Sequence, residues 1–303
     1  MTRDEELVRE IAELQGLRPG RVDPVRGQGS VNRVFVISSD TSRFVVRFPV
    51  DPLRRDEFDV ETWCLTQADA HGIPSPQVVA RGHLRKVPYL IQTFVEGTPA
   101  TQHPAAESRR TLAAYARVVH TIPLTADAPD GLFSRFGRDL HLAWQAHLTY
   151  NRDQLSSDDL LIKLGVYPAD LQPRLRSGLT RLGSLEWSYG LRHGDLAPRN
   201  LLVPPAGLPV LIDWGSASAG PVPYGDLLPA VKMHRATGQP STADLHAYAA
   251  DLGTPLEQVV DIIEDLLLLD ALDLVRWAID QRPDRLGDVV ASAQLHIQAM
   301  QQR

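Results

Sequence analysis

The chain has 303 residues, 43% of them hydrophobic and 22% charged, with a net charge of −6. That length suits one large domain or two lobes with a sizeable core, and the acid excess argues against a general nucleic-acid binder. A single cysteine, Cys64, excludes an internal disulfide framework and a cysteine-cluster metal site, while the charged start and the short apolar runs, such as Leu266–Leu269, predict a cytoplasmic protein with no leader and no membrane span.

Leu7, Ile11 and Leu14 share one face and predict a helix over 4–17. Two β-rich runs, Val34–Ile37 and Phe44–Phe48, flank the polar turn 38–42 and predict a hairpin. A helix is expected over 55–71, stopped by Gly72-Ile-Pro-Ser-Pro76, and strands over 77–80 and 89–95. Gly97 and Pro99 mark a boundary. Beyond it the pattern is helical over 105–121, 139–150, 168–182, 243–252 and 255–280. One hairpin interrupts this region: Leu201–Val203, a Pro-Pro-Ala-Gly turn, then Val210–Ile212. No repeat or low-complexity tract is visible. The expected class is α+β, with a small β-rich lobe over 1–97 and a larger, mainly helical lobe over 98–303.

The second hairpin carries the chemistry. His193-Gly-Asp-Leu-Ala-Pro-Arg-Asn200 leads into its first strand, and Asp213-Trp-Gly215 follows its second. The entry and exit of an antiparallel hairpin lie side by side. Asn200 and Asp213 should therefore meet at one end, with Asp195 in the loop that feeds it. Two carboxylates and an amide oxygen suit Mg²⁺, which takes few protein ligands and keeps room for water and phosphate oxygens.

This pattern resembles the kinase-like phosphotransferases, and most closely the aminoglycoside phosphotransferase and choline kinase group. That group pairs His-Gly-Asp, and an Asn five residues after the Asp, with a strand-terminal Asp-x-Gly; protein kinases carry His-Arg-Asp and Asp-Phe-Gly instead. The resemblance implies a bilobal kinase-like fold and a γ-phosphate donor, ATP or GTP. It makes Asp195 the acceptor of the substrate hydroxyl's proton and His193 a brace for the catalytic loop. Asn200 and Asp213 become Mg²⁺ ligands. Gly27, Gly29 and Ser30 fall where the nucleotide loop belongs. Arg47 stands where the group's strand lysine would lie, and no lysine precedes residue 86. Glu61, eleven residues before the Gly-Ile-Pro-Ser-Pro run, is its expected partner, with Glu57 as rival. Thr93 C=O and Val95 N–H would meet the adenine edge, and Leu90, Phe94 and Ile212 the adenine faces. Asp226, in Pro223-Tyr-Gly-Asp-Leu227, would be a buried structural acid.

Residues 251–288 hold ten acids against three arginines. An acidic pocket would attract a cationic acceptor such as an aminoglycoside, and Asp270, Asp273 and Glu264 are its candidates. Acids on an amphipathic helix are also an ordinary solvated face. Trp144, His147 and Tyr150, spaced by three, read as a core stripe or as the wall of an acceptor site. The leading expectation is an O-phosphotransferase for an aminoglycoside-like acceptor, with a role in antibiotic resistance, acting as a monomer or homodimer. A macrolide, amino alcohol or sugar acceptor remains open, as does a nucleotide-binding pseudokinase suggested by Arg47 and the thin glycine loop.

Overall fold

A computed structural model describes residues 2–25, 32–39, 42–50 and 57–301. The expected nucleotide loop residues Gly27, Gly29 and Ser30 lie outside the described residues. In chain order the elements are α1 (Arg3–Leu14), β1 (Arg21–Pro24), β2 (Asn32–Ser38), β3 (Arg43–Pro49), α2 (Phe58–Ala70), β4 (Val78–Leu84), β5 (Val87–Thr93), β6 (Thr98–Pro99) and α3 (Ala105–Val119). They continue as α4 (Leu140–Gln154), α5 (Leu160–Lys163), α6 (Gln172–Ser184), β7 (Ser188–Arg192), β8 (Leu201–Val203), β9 (Val210–Leu211) and β10 (Ser218–Val222), and end with α7 (Tyr224–Thr237), α8 (Thr242–Asp251), α9 (Leu256–Gln281) and α10 (Leu286–Gln301). The chain divides into two compact units, residues 1–132 with 193–218, and residues 133–192 with 219–303.

The first unit is built on a five-stranded antiparallel sheet of order β1-β2-β3-β5-β4. Alternation along β2 and β3 sends Phe35, Ile37, Val46 and Phe48 to one face, where Val8, Ile11 and Ala12 of α1 cover them. Thr2 and Glu5 close a capping box at the start of α1. The expected hairpin of 201–212 is present as β8 and β9, with Leu201 opposite Leu211. It is anchored within this unit by Leu211 N–H to Pro74 O (2.8 Å) and by Tyr115 Oη–H to Pro209 O (2.6 Å). Those bonds hold the hairpin to the loop after α2 and to α3.

The second unit is helical, with a two-stranded sheet of β7 and β10. Its axis is the 26-residue α9, buried over Leu266–Leu269, Ala271, Leu272, Val275 and Ala278. A helix apolar on most sides at its centre has to be enclosed, and α4, α6, α7 and α10 pack around it. Sequence periodicity missed α7, which contains Pro229, and also α10. Among the described residues, no helix is long and apolar enough to cross a membrane.

Candidate active site

In the first unit, the β3 register turns Arg47 inward, leaving it 9% exposed. Its guanidinium forks. Nη1 donates to Glu61 Oε1 in a short contact, and Nη2 donates to Asp213 Oδ1 at 2.9 Å. Gln92 Nε2 donates to the same Glu61 oxygen at 3.1 Å. Glu61, in the first turn of α2, is therefore the carboxylate that meets Arg47. Burial opposes charge on Arg47, but Glu61 and Asp213 outweigh it and hold the guanidinium above its usual range. Burial pushes the Glu61 carboxyl up, against the pull of Arg47. A guanidinium held by two carboxylates stays protonated.

The hairpin brings the motif residues together as its geometry requires. Ile212 N–H donates to Asn200 O at 2.9 Å, which places Asp213 one residue from Asn200's strand partner. Asn200 Nδ2 donates to both Asp195 O and Asp195 Oδ2, each at 2.8 Å. His193 is fully buried and rests against the Trp214 ring at 4.6 Å. Its Nε2 lies 3.1 Å from Ile212 O, and its Nδ1 accepts from Asp195 N–H at 3.3 Å. These partners assign the proton to Nε2, and the ring ties the loop to the strand that ends at Asp213.

Gly194 explains the small residue between His and Asp. Its φ is +79°, and a Cβ there would collide with the Ser216 carbonyl. Asp213 itself is left-handed, at φ 66° and ψ 61°, a conformation costing an L-residue about 1–2 kcal/mol. Its Arg47 bond and the turn at 214–216 offset that cost.

Two contacts escaped the sequence reading. Arg199 Nη2 makes a short bond to Asp195 Oδ1. The i,i+4 spacing of an acid and an arginine was the available signal. Gln92 orients Glu61 from β5, where no local motif marks it. Thr93 and Val95 lie at and just beyond the end of β5; Gln77 N–H donates to Thr93 Oγ1 at 2.9 Å.

A magnesium ion fits the oxygens present. Asp213 commits Oδ1 to Arg47 and remains 46% exposed, while Asn200 commits its nitrogen to Asp195 and so keeps its amide oxygen for a ligand. Among the described residues, no three His, Cys, Asp or Glu side chains converge. Few protein oxygens, with the rest from water and phosphate, is the habit of Mg²⁺.

The second unit holds a cavity of about 400 Å³. Trp144, His147, Tyr224 and Trp277 line it beside α9 leucines, together with Arg192, Asp270 and Asp273. The helix-4 stripe thus serves both purposes: Trp144 is core and cavity wall, while Tyr150 packs on Phe136 at 5.8 Å. Gly225 leaves room for the Arg192 stem, which a Cβ would strike. Burial lowers the Arg192 pKa, opposed by Asp226 and Asp270. Glu264 does not line the cavity; it is paired with Arg235 between α9 and α7. Asp226 is 1% exposed, as expected for a structural acid.

The phosphotransferase enzyme family matches residues 22–263. No curated protein matches the chain. Among solved structures, a thermostable mutant of aminoglycoside phosphotransferase APH(4)-Ia, in a ternary complex with AMP-PNP and hygromycin B, is 16% identical, with TM-score 0.66 and 98% of each chain covered. Macrolide 2′-phosphotransferase MphH from Brachybacterium faecium is 20% identical, with TM-score 0.66, covering 96% of this chain and 98% of that one. Spectinomycin phosphotransferase APH(9)-Ia, in complex with ADP and spectinomycin, is 12% identical, with TM-score 0.59, covering 97% and 93%. The family match spans most of the chain, including the arginine strand, the catalytic loop and its hairpin, and these structures share the fold, so the chain belongs to the phosphotransferase enzyme family and transfers a phosphoryl group to an alcohol acceptor.

Proposed function

We propose that the protein is an ATP- or GTP-dependent O-phosphotransferase that uses Mg²⁺ and acts on a small hydroxylated molecule. The observation that carries this reading is the junction of Asp195, Asn200, Asp213 and Arg47 at one end of the hairpin. Phosphoryl transfer needs positioning and charge neutralisation more than covalent chemistry, and this set offers both.

In this reading Asp195 accepts the acceptor's proton as the hydroxyl oxygen forms its bond to Pγ and the bond from Pγ to the β-bridging oxygen breaks. Asn200 holds the Asp195 carboxylate at 2.8 Å and so sets its aim. Arg199 adds a positive charge beside the same carboxylate. Asn200 and Asp213 hold Mg²⁺, which neutralises phosphate charge when bound. Arg47 supplies donors to the α and β phosphates, and Glu61 with Gln92 keeps its guanidinium aimed. Residues 1–97 bind the nucleotide, with Thr93 and Val95 offering backbone groups to the base, and 98–303 carry the catalytic loop, the metal ligands and the acceptor site. Gly27, Gly29 and Ser30 complete the nucleotide site. The cavity of the second unit takes the acceptor: β7, which supplies Arg192 to its lining, runs in the chain straight into the loop that carries Asp195.

The carboxylates expected to hold a cationic acceptor give that idea little support. Asp270 and Asp273 line the cavity but are matched internally by Lys232 and His147, and Glu264 is matched by Arg235. The test is Mg²⁺-dependent ADP or GDP release across aminoglycosides, macrolides, amino alcohols and sugars, with Asp195→Ala alongside. Stimulation by one class, absent in the variant, is expected. Nucleotide binding with no stimulation by any class would favour the pseudokinase.

A further inference from the structure

We infer that the cavity of the second unit selects a hydroxylated acceptor with a broad apolar face and at most one ammonium group, and disfavours a polycation; this rests on the phosphotransferase reading above. Three observations carry it.

The first is the character of the wall. Trp144 and Tyr224 line the cavity, and each lies edge-on to Trp187, at 5.5 and 5.3 Å between ring centres. Aromatic rings contribute area and fixed shape at little cost in side-chain freedom, so they suit a ligand with a broad apolar surface. The second is Trp277, which lines the same cavity and is 49% exposed. An indole left half in water at a cavity gains by being covered, and an apolar ring face covers it.

The third is the fate of the charges. Asp270 accepts from Lys232 Nζ at 2.6 Å. Asp273 lies 2.6 Å from His147 Nε2 through Oδ2 and accepts from Asn151 Nδ2 at 2.8 Å through Oδ1. Asn151 is fully buried, and it spends its other Nδ2 hydrogen on His147 O, which leaves Asp273 firmly oriented. Arg192 adds a positive charge to the lining. Both carboxylates of the lining are therefore already engaged by residues of the protein, although the segment around them is strongly acidic. One ammonium can be met by displacing Lys232, whose side chain is 32% exposed; a polyamine must also face Arg192 and disrupt the Asp273 contacts.

Calorimetric titration of the full chain, without nucleotide, tests this. The probes are erythromycin, with one amine on a sugar attached to a large apolar ring, a neutral aryl glycoside, and kanamycin as a polycation. The apolar-faced probes should bind at least tenfold tighter than kanamycin, with a negative heat-capacity change and little salt dependence. Trp277→Ala, at a half-exposed site that folding tolerates, should weaken them about tenfold, the scale of a lost aromatic anchor. Lys232→Met should instead strengthen kanamycin binding, by freeing Asp270. Tighter binding of kanamycin, weakened by salt and indifferent to Trp277→Ala, would overturn the inference. So would a failure of both apolar-faced probes to bind. Binding as expected with no phosphoryl transfer would count against the enzymatic reading and leave the inference standing.

Discussion

The two units handle charge in opposite ways. In the first, Arg47, Glu61 and Asp213 form a chain of ion pairs at the hairpin end, and Arg199 and Asn200 hold Asp195 beside it. In the second, the acids at the cavity, Asp270 and Asp273, are each engaged by a neighbour, Lys232 and His147, and aromatic rings line the same cavity. The lesson is that a run of like charge does not forecast a charged pocket. Helical acids are matched one by one by residues distant in sequence, whereas a motif of fixed spacing keeps its charges together by backbone geometry.

The contrast can be broken at its strongest point first. Asp195→Ala should lower turnover by about 10³-fold, within the range of a lost general base, while Mg²⁺-nucleotide affinity measured by calorimetry stays close to wild type. Turnover like wild type would move the proton acceptor elsewhere.

The second unit is tested through stability instead. Asp159 is buried with Arg276, accepts two bonds from its guanidinium, and takes further bonds from Tyr167 Oη–H and Leu161 N–H. Burial pushes its carboxyl up, but these donors outweigh it and hold the pKa below the usual carboxylate value. Asp159→Asn should cost about 3 kcal/mol, read as a fall in Tm, because it strands Arg276. The sign for pH follows. The folded pKa is depressed, so the stabilisation is complete above the ordinary aspartate range and is lost as pH falls through that range towards the lowered value. A denaturation midpoint that did not fall on acidification, or that fell equally in Asp159→Asn, would contradict this.

Arg47→Lys sharpens the comparison within the first unit. Lysine offers a point charge and cannot fork to Glu61 and Asp213 together. The KM for ATP should rise about tenfold, one lost charge-assisted bond, with kcat less affected. An unchanged KM would show that the fork does not serve the nucleotide. The smallest effect is expected at Arg199, which is 54% exposed. Arg199→Ala should lower kcat by about threefold, in keeping with a part-exposed pair, and mainly at low salt.

How much of this was readable in advance follows from distance in the chain. Asp195, Asn200 and Asp213 lie within nineteen residues around a hairpin whose turn is written in Pro-Pro-Ala-Gly, so their meeting followed from pairing geometry alone. Arg47 and Glu61 needed the family resemblance, because the sheet and α2 that join them are not local. Strands β2 to β5 were visible as β-branched and aromatic runs. Strand β1, only Arg-Val-Asp-Pro, carries no such pattern and takes its place in the sheet by pairing with β2. The cavity was unreadable because its wall is gathered from α4, β7, α7 and α9, and α7 was not expected at all. The acids of α9 were read correctly as a charge excess, but their partners Lys232, His147 and Arg181 lie on other helices that periodicity cannot dock.

The central claim is that a γ-phosphoryl group passes from the nucleotide to an alcohol whose proton Asp195 accepts. The most direct measurement incubates the protein with Mg²⁺, ATP and each acceptor class and detects the acceptor by mass spectrometry and phosphorus NMR. The account predicts one added phosphoryl group, on an oxygen, for wild type and, in the same time, about a thousandth as much for Asp195→Ala. Equal product from the variant, or a phosphoryl group found on nitrogen, would contradict it.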